Sequence, residues 1–308
     1  MREERSVAVA VQRLGGTCSW RELRRAVPWR AIGPAVAAGQ VVRHGHGVYT
    51  LPGAEAAGVV ARRLHGVVSH RSAALHWGWK VKSVPARPDV TIPANRKLRE
   101  SQRGLAILHW RSLPASELAG GVTSRSRTVV DCCLDLPFDE ALSVFDSALR
   151  SGVRRREVTE LAMMLGPRQR ARVHRVARHA DARAANPFES VLRAIALDVP
   201  GLSVDLQVRL RYDGVYARVD LADESLQIVA EADSHEFHTE RSAFARDCRR
   251  YDELTVRDWI VLRFTWEQVM FEPDWVRGVL AAAVGLRRRS RARDGGPMTG
   301  RSLAAEAV

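Results

Sequence analysis

The chain has 308 residues, enough for two or three domains, and 46% of them are hydrophobic, so a sizeable core can be buried. The formal charge is +13 and the isoelectric point about 10.7. That balance points to nucleic acid or an anionic surface as partner. Nearly all the basic residues are Arg, with Lys only at Lys80, Lys82 and Lys97. The coding bias of a GC-rich genome would explain Arg over Lys. It would not explain the excess of base over acid.

The four cysteines, Cys18, Cys132, Cys133 and Cys248, form no CxxC pair. Adjacent Cys132 and Cys133 make poor disulfide geometry, so reduced thiols of a cytoplasmic protein are expected. The opening "MREERSVAVAVQRLGG" has no long apolar region, and no stretch is long enough to span a membrane.

Residues 1–54 read as three short helices and a hairpin. "RSVAVAVQRLGG" is a helix stopped by Gly15–Gly16. In "CSWRELRRAV" Ser19 and Glu22 have capping-box spacing, and Pro28 suits the first turn of a third helix, "PWRAIGPAVAAGQ". "VVRHGHGVYTLPG" alternates around a Gly-containing turn, as a β-hairpin does. This order predicts a winged helix-turn-helix. Arg30 would open the helix that enters the major groove, and Arg43, His44 and His46 would lie on the wing. A winged helix used only for protein contacts has the same pattern.

Residues 55–150 read as a mixed α/β domain. "VVARRLHGVVSHRSAALHWGW" suggests one helix, "RPDVTIPAN" and "LAILHWRSLP" strands, and "TSRSRTVVDCCLDLPFDEALSVFDSALRSG" two helices. Ser124 or Ser126 would cap the first of these and Asp139 would open the second. His70 and His109 have no partner at metal-ligand spacing and read as packed or surface histidines. Through "GGTCSWRELRRA", "VVRHGHGVYTLPG", "VVSHRSAALHWGW" and "SRSRTVVDCC", residues 1–150 resemble AbiEi-type antitoxins of type IV toxin–antitoxin systems. The resemblance implies a winged helix with an α/β domain behind it, and a toxin or defence partner.

Residues 150–185 carry ten arginines against Glu157, Glu160 and Asp181, a net of +7. A basic helical linker is expected over 151–185, either a solvated face or a phosphate-tracking surface.

Residues 186–287 place the elements in the order α-β-β-β-α-β-α. Glu189 falls in the first turn of "NPFESVLRAIALD". "SVDLQVRLRY" is a strand, and "GVYARVDLA" and "LQIVAEAD" are strands joined by a tight turn at 223–225. Asp220 and Glu231 lie on these paired strands, and Glu231 and Asp233, two apart, share a face. A helix over "TERSAFARDCRRYDELTVRD", a strand "WIVLRF" and a closing helix over "TWEQVMFEPDWVRGVLAAAVG" come next. Carboxylates from adjacent strands can hold Mg2+, with Mn2+ as a substitute, and such an ion supports phosphodiester cleavage. The blander readings are that Asp220 and Asp223 flank a hairpin turn and that Glu231 pairs with an Arg.

The order with D…(D/E)-x is that of the restriction-endonuclease core. "ARVDLA", "AEADSHEFH", "RDCRRYDEL" and "RDWIVLRFTWEQV" make residues 186–285 similar to very-short-patch-repair-like endonucleases of that superfamily. The resemblance implies a site of Glu189, Asp220, Glu231, Asp233 and His238, with Asp220, Glu231 and Asp233 as metal ligands. Asp247 and Arg250 would orient His238 or contact phosphate, or form an ordinary intrahelical pair. Ser234 and Asp258 stand where the family has Gly, and Asp233 stands where the general motif has Lys. With that Lys absent, His238 is the best candidate proton acceptor.

The expected fold class is α/β (α+β, multi-domain): winged helix, middle α/β domain, restriction-endonuclease-like core, and a disordered basic tail over 288–308. The expected function is a magnesium-dependent DNA endonuclease or nickase acting on duplex. The alternative is a non-catalytic DNA-binding regulator or antitoxin with a degenerate nuclease fold.

Overall fold

A computed structural model describes residues 6–14, 16–44, 47–52, 54–212, 215–233 and 241–293. The chain is mixed α/β and divides into two compact units, residues 1–191 and 192–308. Among the described residues no helix is long and apolar enough to cross a membrane.

The first unit opens with α1 (Val7–Arg13), β1 (Thr17–Ser19), α2 (Trp20–Ala26), α3 (Trp29–Ala37), β2 (Val42–His44) and β3 (Val48–Thr50). Ser19 caps α2 with the expected reciprocal bonds: its hydroxyl accepts from the Glu22 amide and Glu22 accepts from the Ser19 amide. Pro28 precedes α3 as its cap residue. The hairpin β2–β3 is antiparallel, and β1, which the sequence pattern does not predict, pairs with β3 in the order β1-β3-β2. Val11, Leu23, Ile32, Val41 and Tyr49 form the core here.

Next come α4 (Ala54–Leu64), β4 (Val67–Val68) and α5 (His70–His76). The single helix expected over 59–79 is therefore broken by a strand. Gly66 explains the break: a Cβ there would lie 2.6 Å from the Thr91 carbonyl oxygen, so only Gly lets the strands approach so closely. With β5 (Asp89–Ile92), β6 (Ile107–Trp110), β7 (Leu118–Ala119) and β8 (Val122–Thr123), β4 makes a sheet of order β6-β5-β4-β8-β7. A short helix, α6 (Glu100–Arg103), lies between β5 and β6.

The unit continues with α7 (Arg125–Asp135), capped by Ser124, and α8 (Phe138–Arg150) with Asp139 in its first turn. The expected basic linker is instead two helices, α9 (Arg155–Met163) and α10 (Pro167–His179), packed against α7. Val158, Ala162, Val173, Val176 and Ala177 are buried beneath their arginines, so the segment is part of a core. Asp146 on α8 anchors the chain beyond α10: its carboxylate accepts from the Asp181 amide and the Ser190 hydroxyl, both at 2.7 Å. Then α11 (Pro187–Leu197) leads towards the second unit.

The second unit holds β9 (Asp205–Tyr212), β10 (Val215–Asp223), β11 (Ile228–Ala232), α12 (Arg241–Thr255), β12 (Ile260–Phe264), α13 (Trp266–Phe271) and α14 (Pro273–Arg293). The sheet order is β12-β11-β10-β9; β9, β10 and β11 run antiparallel, and β11 and β12 parallel. The crossover between the parallel pair is α12, which packs on β10 and β12. The turn after β10 is held by Asp223, whose carboxylate accepts from the Ser225 hydroxyl, the Leu226 amide and the Ser203 amide. The closing helix is split into α13 and α14, because Pro273 starts a new first turn. Helix continues to Arg293, so the tail expected to be disordered from 288 is helical over its first residues.

Candidate functional site

The candidate site lies where β10 and β11 run side by side. Leu221 pairs with Ala230, and the same register one residue on sets Asp220 opposite Glu231. Residues opposite each other share a face of the sheet. Each carboxylate accepts a backbone amide of the neighbouring strand: the Asp220 amide donates to Glu231 Oε2 at 3.4 Å, and the Ala232 amide donates to Asp220 Oδ2 at 3.0 Å.

Gln207 supports Asp220 from β9. Its side-chain amide donates to Asp220 Oδ1 at 3.0 Å, from a backbone with φ of +53°. A non-Gly residue in the left-handed region is strained and frequent at functional sites. Glu231 is buried, and its Oε1 accepts no hydrogen bond. Arg250 of α12 holds Nη2 3.5 Å from that oxygen. Burial first, then the Asp220 charge, pushes the Glu231 carboxyl up to about 8. A second ion pair joins Arg263 of β12 to Asp233. Both guanidinium groups lie on the Tyr251 ring, Arg250 at 4.7 Å and Arg263 at 4.3 Å.

Asp220 and Glu231 are thus brought together, but the expected third ligand is not: Asp233 pairs with Arg263, and among the described residues the three carboxylates do not form a group with ligand atoms within 4.8 Å of one another. Glu189 belongs to the first unit. Its carboxylate accepts from the Ala185 amide at 2.9 Å and the Asn186 side chain at 3.0 Å, an N-terminal capping arrangement on α11. Arg250 is engaged by Glu231, the Arg218 carbonyl and Tyr251. His238 and Ser234 lie outside the described residues, as do His46 and the side chain of Asp247. In the first unit Arg30 and Arg43 are exposed, while His44 bonds Thr50 Oγ1 at 2.8 Å.

The sequence reading missed Gln207, Arg263 and Tyr251. Arg263 had a legible signal, a charge inside an apolar strand directly after a Val–Leu pair. Gln207 had none, because its left-handed backbone is not written in its residue type. The reading also missed that His70 and His109 meet Asp135: among the described residues these three form a group whose ligand atoms lie within 4.8 Å of one another. Burial holds the His70 imidazole below its ordinary range, so it is neutral near pH 7.

The fold and pair define a two-unit α/β chain with a carboxylate pair on a mixed sheet. No protein-family profile matches it. Two curated proteins of Mycobacterium tuberculosis are similar: the uncharacterized protein MT2308 of strain CDC 1551 and the uncharacterized protein Rv2248 of strain H37Rv. Each is 31% identical over 178 residues, which covers 56% of this chain and 64% of the relative. The chain therefore spans under two thirds of the length of the curated relatives it matches. Among solved structures, the RV2827C protein of M. tuberculosis matches at a TM-score of 0.33 and 13% identity, covering 60% of this chain and 78% of that one.

Proposed function

We propose that the second unit is a restriction-endonuclease-like, magnesium-dependent DNA endonuclease or nickase, and that residues 1–54 are a winged helix that holds the duplex. The observation that carries this reading is the Asp220–Glu231 pair. Two carboxylates stand opposite each other on adjacent strands, one of them buried with an oxygen that accepts no hydrogen bond. Two like charges this close disfavour each other's ionised form, and a divalent cation reverses that cost. Hard oxygen donors suit Mg2+, with Mn2+ as a substitute.

Asp220 and Glu231 would hold the ion, and Asp233 would join them only by leaving Arg263. The bound ion would neutralise charge on the scissile phosphate and lower the pKa of a water. Gln207 fixes the Asp220 carboxylate so that Oδ2 and the Glu231 oxygens keep one relative placement. Arg250 and Arg263, seated on Tyr251, put two cations beside the carboxylates, where a phosphodiester would lie. His238, seven residues beyond Glu231 in sequence, is the proton acceptor this reading requires.

Plasmid nicking with Mg2+, Mn2+ or chelator tests the reading. The parent should nick only with metal, and Asp220→Ala or Glu231→Ala should abolish nicking. His238→Ala should lower the rate by roughly 10²-fold or more. Nicking by both carboxylate variants at the parental rate would remove the assignment.

A second reading is favoured by the Arg263–Asp233 and Arg250–Glu231 ion pairs, since protein cations already meet two of the three carboxylates. It makes the chain a DNA-binding regulator or type IV antitoxin with a degenerate nuclease unit and a toxin partner. Metal-independent DNA binding with no nicking would support it.

A further inference from the structure

We propose that His70, His109 and Asp135 form a binding site for a divalent transition metal of the zinc class in the first unit, which neither function reading above requires. His70 opens α5, His109 is on β6, and Asp135 ends α7. Residues far apart in sequence are thereby brought to one point, with His70 Nε2 2.9 Å and His109 Nδ1 3.7 Å from Asp135 Oδ2. The two imidazoles stack, with centroids 3.5 Å apart.

The other nitrogen of each ring is held from behind. His70 Nδ1 lies 2.8 Å from Ser69 Oγ, and His109 Nε2 lies 3.0 Å from Asp89 Oδ1. Metal-ligating histidines have this outer support, which fixes tautomer and ring orientation. Asp89 is fully buried, is held charged by Arg71 at 3.1 Å, and through its backbone also anchors the 69–72 turn. His70 has φ of +48°, a strained backbone for a buried His, so the fold forces this ring into place.

The tautomers sharpen the case for a cation. With Nε2–H donating to the Asp89 carboxylate, a neutral His109 presents the Nδ1 lone pair towards Asp135 Oδ2. His70 Nε2–H donates to the same oxygen at 2.9 Å, so a metal there would replace that proton and be met by His70 Nε2, His109 Nδ1 and Asp135 Oδ2 together, with His70 Nδ1–H turned to Ser69 Oγ. Two imidazoles and one carboxylate select zinc-class ions over Mg2+ or Ca2+. Asp135 is one-third exposed, which leaves coordination positions open to water or a ligand. Arg111, which also contacts Asp135, retains Asp131 as a partner when the Asp135 oxygen turns to a metal.

Tag-free, full-length protein is stripped with chelator and titrated with Co2+ in excess Mg2+, which occupies the oxygen site at Asp220 and Glu231. The expected result is one equivalent of Co2+, displaced by Zn2+. Two solvent-exchangeable, hyperfine-shifted imidazole N–H signals should appear, one from each ring. His109→Gln and Asp135→Asn should remove them, whereas Asp220→Asn should not, which separates this site from the proposed nuclease site. Circular dichroism checks that the variants fold, and where one does not, the parent spectrum decides. Absence of imidazole signals in the parent overturns the site. So does undiminished binding in both folded variants.

Discussion

Asp220 and Glu231 stand opposite each other on β10 and β11, the Asp220 amide 3.4 Å from a Glu231 carboxylate oxygen. The consequence is a titration in the neutral range. Glu231 is raised from 4.5 to about 8 by burial first and Asp220 second. The folded state therefore holds a proton that the unfolded state releases near pH 4.5. This contribution to stability is complete below the unfolded value and is lost as pH rises through about 8. Metal-free protein should lose on the order of a few kcal/mol between about pH 5 and pH 8 from this group. Glu231→Gln should flatten that slope in chemical denaturation. Mg2+ should raise the melting temperature of the parent more at about pH 8 than at about pH 6, and not that of Glu231→Gln. Equal slopes in parent and variant would show that Glu231 does not titrate there.

Arg250 opposes that shift, since its guanidinium 3.5 Å from Glu231 favours the carboxylate. Arg250→Ala should move the Glu231 midpoint further up, read by carbon NMR of the side-chain carboxyl. A midpoint that stays or falls would mean that the ion pair does not persist in solution.

Asp258 has φ of +63°, a backbone that Gly adopts freely and β-branched residues resist. Its carboxylate receives Arg287 Nη1 at 2.8 Å, a partial offset of the strain. Asp258→Gly should therefore change stability by less than about 1 kcal/mol, and Asp258→Val should cost more, about 1–3 kcal/mol. Denaturant midpoints with unchanged slopes measure both. If the Val variant matches the Gly variant, the left-handed backbone is not what the position requires.

Asp258 also shows where sequence reading reaches and where it stops. The Gly expected there by family resemblance agrees with the observed φ, though the residue is Asp. Periodicity and turn chemistry are enough for β9 to β12, for the Ser19–Glu22 box and for the Asp220–Glu231 pairing, because each depends on residues near in sequence or on one hairpin. They fail at β4, where close approach to Thr91 turns a helical pattern into a strand. They leave two roles open at Glu189, because capping and metal ligation require the same residue type. The His70–His109–Asp135 group is invisible in the sequence because its members meet only through the β5–β6 sheet and α7.

The first unit allows a last prediction, on its proposed role in binding duplex. Arg30 is exposed at the start of α3 with its guanidinium 5.4 Å from the Trp29 ring, and Arg43 is exposed on β2; both are proposed to contact phosphates. His44, also on β2, bonds Thr50 across the hairpin. Each phosphate neutralised adds about 0.9 to the slope of log affinity against log salt. Arg30→Ala and Arg43→Ala should each weaken duplex binding evenly across sequences and reduce that slope by about 1. His44→Ala should leave the slope unchanged and lower the melting temperature, since it removes a bond worth about 1 kcal/mol inside the hairpin. Fluorescence anisotropy over a salt series, with thermal melts of the same samples, separates the two. Parental slopes in both Arg variants would take α3 and the hairpin out of the DNA interface.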